Sequence, residues 1–287
     1  MSMVIKTNMD SVRTYNIYNR NSIALSNSMY KVASGRRINS AADGASDLAI
    51  AQKMSIRNTS VEQADRNTQN GLNMIKTADG AMTNIASTLS TIREKLVNYG
   101  NDTNGATERG YIVSEITSLV SSIDSIASNT SFNGVTLLDG TWADDPLTFQ
   151  TGADGGDTTT VTIASMTTAD LGIEMSSLSL TAPGADGSGT GASEAQAAID
   201  LIDAALGTVN TAMTNLGATE NKLGFISDNL AIESENLQAS ESTVRNLDVA
   251  KGMAQFALTN ILTQSSQFML AQAAQNPYSA LQQLQQQ

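Results

Sequence analysis

Histidine and cysteine are both missing from the 287 residues, and proline occurs only three times. Without cysteine there can be no disulfide, thiolate nucleophile or Cys/His zinc site. Without histidine the side chain that most often acts as a general base near neutral pH is gone, and so is any H-E-x-x-H protease motif. Aromatic residues make up only 4% of the chain, with a single tryptophan, Trp142. Apolar residues still reach 40%, so a core has to be built from Leu, Ile, Met, Val and Ala, which suits helices laid side by side. No segment approaches the roughly 20 apolar residues that span a membrane. The first residues, with Lys6 and Asp10, hold no apolar stretch of the kind a signal peptide needs. The expectation is a protein with no catalytic residues, no metal and no cofactor, and without membrane insertion.

Charge is unevenly placed. The chain carries −12 overall, yet residues 1–60 hold a local +5 and residues 110–240 a local −16, while residues 252–287 hold no charge at all. A solvated acidic middle between basic and neutral ends points to ends that seek partners. The basic end has no cluster larger than Arg36-Arg37, so no nucleic-acid partner is expected. The acidic loop Asp154-Gly155-Gly156-Asp157 lacks full calcium-ligand spacing.

The strongest positive signal is periodicity. Val61, Ala64, Thr68, Gly71, Ile75, Ala78, Met82, Ile85, Leu89, Ile92 and Leu96 alternate steps of three and four without a break, which places them on one helix stripe. The spacing predicts a helix from about Ser46 to Asn98, about 80 Å long at 1.5 Å per residue. Turn formers fill 99–105. A second stripe follows, Ile112, Ile116, Leu119, Ile123 and Ile126, predicted to fold back antiparallel. Asn133-Gly134 is a hairpin signal, and 135–138, 147–150 and 158–163 read as short strands. Residues 181–192 are a low-complexity loop. From Ser193, read as a capping-box start with Gln196, Ile202, Val209, Leu216, Leu223, Leu230 and Leu237 recur every seven residues with Ile199, Leu206 and Met213 as companions.

Both ends keep the same rhythm. Ile5, Met9, Val12, Asn16, Asn19, Ile23, Ser26, Tyr30 and Ala33 do so at one end. Val244, Leu247, Ala254, Leu258, Ile261 and Phe268 do so at the other. These segments are too polar to fold alone and too apolar to stay solvated, so they should order on meeting each other or further copies. The chain should go up, turn and come back. The fold class is mainly α: a long antiparallel coiled-coil rod with a small β-hairpin region and paired terminal helices.

Several motifs, in order along nearly the whole chain, resemble the bacterial flagellin family. Ala33-Ser34-Gly35-Arg36-Arg37-Ile38-Asn39-Ser40-Ala41-Ala42-Asp43 is similar to the family signature. Ser131-Phe132-Asn133-Gly134 resembles its turn, and Phe149-Gln150-Thr151-Gly152 the strand and hairpin after it. Glu220-Asn221-Lys222-Leu223, Glu235-Asn236-Leu237 and Met269-Leu270-Ala271-Gln272-Ala273 resemble its C-terminal helices. Arg245-Asn246-Leu247-Asp248 and the end Gln282–Gln287 depart from the pattern. The resemblance implies residues 1–45 and 240–287 as an inner tube domain that includes a spoke, and 46–173 with 193–239 as rod. A short variable stretch at 174–192 would stand in place of large outer domains.

The resemblance also implies a function: an extracellular subunit of the flagellar filament, exported unfolded, self-assembling with other flagellin subunits and meeting junction and cap proteins. The implied subunit interface is Ile5, Met9, Val12, Ile23, Tyr30, Arg36, Arg37, Asn39, Leu258, Ile261, Phe268 and Leu270. An export chaperone would take Phe256, Ile261 and Phe268. A host Toll-like flagellin receptor would face Thr91, Arg93, Glu94, Lys95 and Glu115. The alternative within the same family is a hook–filament junction protein.

Overall fold

The structure, a computed structural model, describes residues 8–180 and 191–285, with side chains to residue 275. Ile5 of the expected interface and most of the 181–192 loop lie outside the described residues. The order is α1 (Met9–Ser34), α2 (Ala45–Tyr99), α3 (Ala106–Asn129), β1 (Ser131–Phe132), β2 (Val135–Thr136), α4 (Thr141–Asp144), β3 (Leu147–Gln150), β4 (Thr158–Val161), α5 (Met175–Leu178), α6 (Gly191–Arg245) and α7 (Val249–Gln285). The chain divides into two compact units, residues 1–58 with 235–287, and residues 59–234.

In the second unit α2 carries its expected stripe: all eleven residues from Val61 to Leu96 are buried. Ile75, Met82, Ile85, Leu89, Ile92 and Leu96 join α3 and α6 in one apolar core, each such burial stabilising by about 1.5–3 kcal/mol. Thr68 satisfies its hydroxyl on the Ala64 carbonyl at 2.8 Å. Gly71 is buried because Phe149 of β3 lies over it; a Cβ there would sit 3.3 Å from Phe149 Cδ1. Helix directions follow from cross-links. Asp65 meets Ser227, Lys76 meets Glu220, Arg93 meets Asp203 and Tyr99 meets Glu194. As numbers rise along α2 they fall along α6, so the pair is antiparallel. Lys95 with Glu115 shows the same for α2 and α3.

Several sequence expectations need correction. The companions of the α6 stripe are Ala198, Ala205 and Ala212, which are buried, and not Ile199, Leu206 and Met213, which are half-buried on the flank. Hydropathy favours the larger residues. Here the seam takes the position four before each Ile, Val or Leu of the stripe and three after the preceding Ile or Val, and there alanine permits close approach. On α3, Val120 and Ala127 are buried while Leu119 and Ile126 are half-buried. Ser193 is the third residue of α6, so it is not an N-cap.

The first hairpin is shorter than expected. β2 ends at Thr136, because Leu137 and Leu138 leave the ladder to enter the rod core. Asn133 (φ 51°) and Gly134 (φ 80°) make its turn left-handed. β3 matches its expected range and pairs antiparallel with β4, which ends at Val161. Residues 174–180 are not simply loop: α5 forms there, and Leu178 and Leu180 are buried.

Candidate subunit interface

The candidate interface lies in the first unit, where α1 and α7 run antiparallel. The Asn8 amide donates to the Ala273 carbonyl at 2.8 Å, and Asn21 donates to the Leu262 carbonyl at 3.3 Å and to Ser266 Oγ at 3.4 Å. Asn8 also caps α1, its side chain accepting from the Ser11 amide at 3.1 Å.

The seam between the two helices mixes small and polar residues with a few larger apolar ones. On α1 it is Ser11, Thr14, Tyr18, Asn21, Leu25, Ser28 and Val32. On α7 it is Gly252, Phe256, Thr259, Thr263, Ser266, Leu270 and Ala273. Both sets follow three–four spacing. Thr259 and Ser266 satisfy their hydroxyls on carbonyls one turn back, at 2.9 Å each. Gly252 leaves room for Leu247, whose Cδ2 would have to move from a Cβ placed 2.6 Å away. Its larger apolar members Leu25, Val32, Phe256 and Leu270 are only half-buried, so the pairing is weakly driven.

The apolar stripe read from the sequence faces the other way. Ile23 is 62% exposed, Tyr30 64%, Ile261 65% and Phe268 76%. Met9, Val12 and Leu258 are exposed as well. Leu270 and Phe256 stand apart from this group, half-buried in the seam.

Between α1 and α2 the chain makes a braced crossing. Gly35 takes the left-handed conformation (φ 65°) that ends α1. Arg36 then bridges to Asn246: the Arg37 amide donates to the Arg245 carbonyl at 2.8 Å and the Leu247 amide to the Gly35 carbonyl at 2.9 Å. The Arg37 guanidinium donates to the Val244 carbonyl at 2.6 Å and to Asp47 at 3.2 Å. Asn39 donates to Ser34 Oγ and to the Arg36 carbonyl. Asp43 accepts from Lys31 at 2.8 Å and from the Asn39 and Ser40 amides. Lys31, followed by those amides, holds its carboxyl down at about 2. Arg37 and Asn39 therefore have partners inside the chain, while the Arg36 side chain is exposed.

The residues expected to face a receptor lie in the other unit. Thr91, Arg93, Glu94 and Lys95 occupy little more than one turn of α2, and the structure brings Glu115 of α3 to Lys95 at 2.8 Å. The hydrogen bond to Asp203 raises the Arg93 pKa and that to Glu115 raises the Lys95 pKa. Thr91 Oγ1 bonds the Ser87 carbonyl of its own helix.

One cluster was invisible in the sequence. Tyr99, fully buried, donates to Glu194 at 2.9 Å. Arg109 stacks over its ring, 5.7 Å from the centroid, and donates to Asp102 at 3.0 Å. This cluster ties α2, α3 and α6 together at the 100–105 loop. Tyr99 continues the α2 stripe three residues past Leu96 and Arg109 precedes Ile112 by three, but polar residues at those positions carry no apolar signal. Among the described residues no three acidic side chains converge as a metal ion would require.

These features define a helical structural protein, with a packed rod unit, two small hairpins, and a terminal helix pair that turns its apolar residues outward. Residues 5–143 match the bacterial flagellin N-terminal helical region and residues 199–284 the bacterial flagellin C-terminal helical region. The chain belongs to the bacterial flagellin family. It is 36% identical to a flagellin of Bacillus subtilis over 98% of this chain and 99% of that one. It is 38% identical to a flagellin of Halalkalibacterium halodurans over the same shares. A flagellin of Salmonella paratyphi A is 35% identical over 174 residues, 61% of this chain but only 34% of its own length. The match to that longer relative thus covers about a third of its length.

Proposed function

We propose that this chain is the subunit of an extracellular flagellar filament used for swimming, exported unfolded and assembled by self-association of its terminal helices. The observation that carries the reading is that on α1 and α7 the buried seam positions include Ser28, Gly252, Thr259 and Ser266 while Ile23, Tyr30, Ile261 and Phe268 face outward. A helix without charge after Lys251 and with exposed Phe268 and Ile261 needs another surface to cover it, and further copies of the same pair supply one. The inner tube (1–45 with 240–287) and the rod (46–239) remain the proposed division of labour, with cap and junction proteins meeting the same ends.

The test is polymerisation of the purified protein in ammonium sulfate, followed by electron microscopy. Long homopolymers are expected. Ile23→Ser with Ile261→Ser and Phe268→Ser should abolish them while the circular dichroism of the rod persists. Short rings or no polymer from the wild-type protein would favour the junction-protein alternative. Filaments from the triple variant at unchanged critical concentration would remove these residues from the interface.

Two partner proposals accompany this one. An export chaperone covers Phe256, Ile261 and Phe268. Because Phe256 is half-buried in the seam, it is offered only where α7 is unpaired from α1, as in a chain awaiting export. Replacing the three by Ser should abolish the complex in a pull-down; retained binding would place that site elsewhere. A Toll-like flagellin receptor faces Thr91, Arg93, Glu94, Lys95 and Glu115, more weakly than it faces enteric flagellins. Thr91 stands where the family pattern has an arginine, and Lys95, paired with Glu115, where it has a leucine. Thr91→Arg with Lys95→Leu should raise affinity at least about tenfold by surface plasmon resonance; unchanged affinity would sink the assignment.

A further inference from the structure

Methionine is partitioned between the two units. In the second unit Met74, Met82 and Met166 are buried, and Met175 and Met213 half-buried. On α1 and α7 every methionine with a described side chain is about half exposed or more: Met9 54%, Met29 55%, Met253 48% and Met269 61%. Met54, on the first turns of α2, is half-buried. Met9 shares the outer stripe with Ile23 and Tyr30, at seven-residue multiples. Met253 and Met269 flank the α7 seam, each one residue from a seam position.

Methionine is a soft, flexible apolar residue that fills irregular contacts, and it is the one apolar side chain a mild oxidant converts to a polar one. With no cysteine in the chain, no thiol competes for that oxidant. We propose that Met9, Met29, Met253 and Met269 are sulfoxidation sites of the free subunit, and that their oxidation by a hydroperoxide bars it from assembly. This rests on the assembly reading above. The sulfur attacks the peroxide oxygen, the O–O bond breaks, one oxygen is transferred to sulfur and the other leaves as water from hydrogen peroxide or as the alcohol from an organic hydroperoxide. The thioether is oxidised by two electrons and the peroxide reduced. The resulting sulfoxide is a polar acceptor on the face that assembly would desolvate. In the polymer the same four side chains are covered and react slowly, so the state of the subunit is fixed before it is incorporated.

The experiment treats the monomeric full chain with hydrogen peroxide, maps the sulfoxides by mass spectrometry, and measures the critical concentration for salt-induced polymerisation. A rise of at least about tenfold is expected, the equivalent of one unfavourable polar burial per subunit. Reduction by methionine sulfoxide reductases A and B should restore it. The quadruple variant Met9→Leu, Met29→Leu, Met253→Leu, Met269→Leu should polymerise normally after peroxide treatment. Preformed filaments should keep all four methionines reduced under the same exposure. Oxidised wild-type protein that polymerises unchanged overturns the proposal, as does a loss that the reductases cannot reverse or that the quadruple variant suffers equally. Untreated protein that forms no polymer overturns the assembly reading itself, a separate result.

Discussion

The alanine seam of α6 makes a sharp prediction, because packing and hydropathy disagree about its sign. Ala205 is 1% exposed, between Ile202 and Val209 in the core shared with α2 and α3. Leu206, beside it, is only half-buried. Ala205→Leu changes helix propensity little and adds three carbons, each worth about 0.8 kcal/mol if burial were free of strain. By hydropathy alone the variant should gain about 2 kcal/mol. In a closed seam those carbons have no space, and overpacking of this kind costs about 1–3 kcal/mol. Leu206→Ala, on the flank, loses partial burial and leaves no closed cavity, for a cost of about 1 kcal/mol. In a unit of this size each kcal/mol moves the midpoint by about 2–4 °C. Thermal unfolding of the monomer, followed by circular dichroism at low salt, should therefore rank Ala205→Leu as the less stable of the two. A neutral or stabilised Ala205→Leu would refute the seam, and would mean that α6 can shift away from α2 at little cost.

The braced crossing titrates. Asp43, held at about 2 by Lys31 and the Asn39 and Ser40 amides, has a folded pKa below its unfolded value of about 3.9. Its contribution is present above pH 4 and lost as pH falls through 2, so amide exchange at Asn39 and Ser40 should rise across that window; Asp43→Asn should flatten the rise. Tyr99 runs the opposite way. Burial first, then the Glu194 hydrogen bond, raises its pKa to about 12. Its contribution is whole below pH 10 and lost between about 10 and 12, which ultraviolet titration of wild type against Tyr99→Phe would resolve. Arg37→Ala removes the donor to the Val244 carbonyl and to Asp47. For so exposed a group the stability loss should stay within about 1 kcal/mol, yet limited trypsin digestion should cut sooner after Arg36, and an unchanged digestion rate would argue against bracing.

How much of this was legible in the sequence depends on which force wrote each part. The α2 stripe was readable to the residue, because large apolar side chains at three–four spacing have one stable fate, a buried face. The α6 seam was half readable: Ile202, Val209 and Leu216 stood out, while Ala198, Ala205 and Ala212 did not, since alanine carries almost no hydropathy signal and acts through what it lacks. Gly71 stands in the stripe without a side chain, and its reason, Phe149 lying on it, is 78 positions later in the chain. The Arg37 to Val244 bond joins residues 207 apart, and no local pattern encodes such a pair. The terminal helices are the most instructive case. Their apolar stripe was read correctly as a stripe, and its ambiguity between pairing partner and further copies could not be resolved from spacing. The structure pairs the polar sides instead, through Asn8, Asn21, Thr259 and Ser266. A helix pair that buries Ser28 and Ser266 and exposes Ile261 and Phe268 contradicts the rule the rod obeys. Sequences break such rules where function demands it, and under the assembly proposed above that demand is the covering of α1 and α7 by further copies.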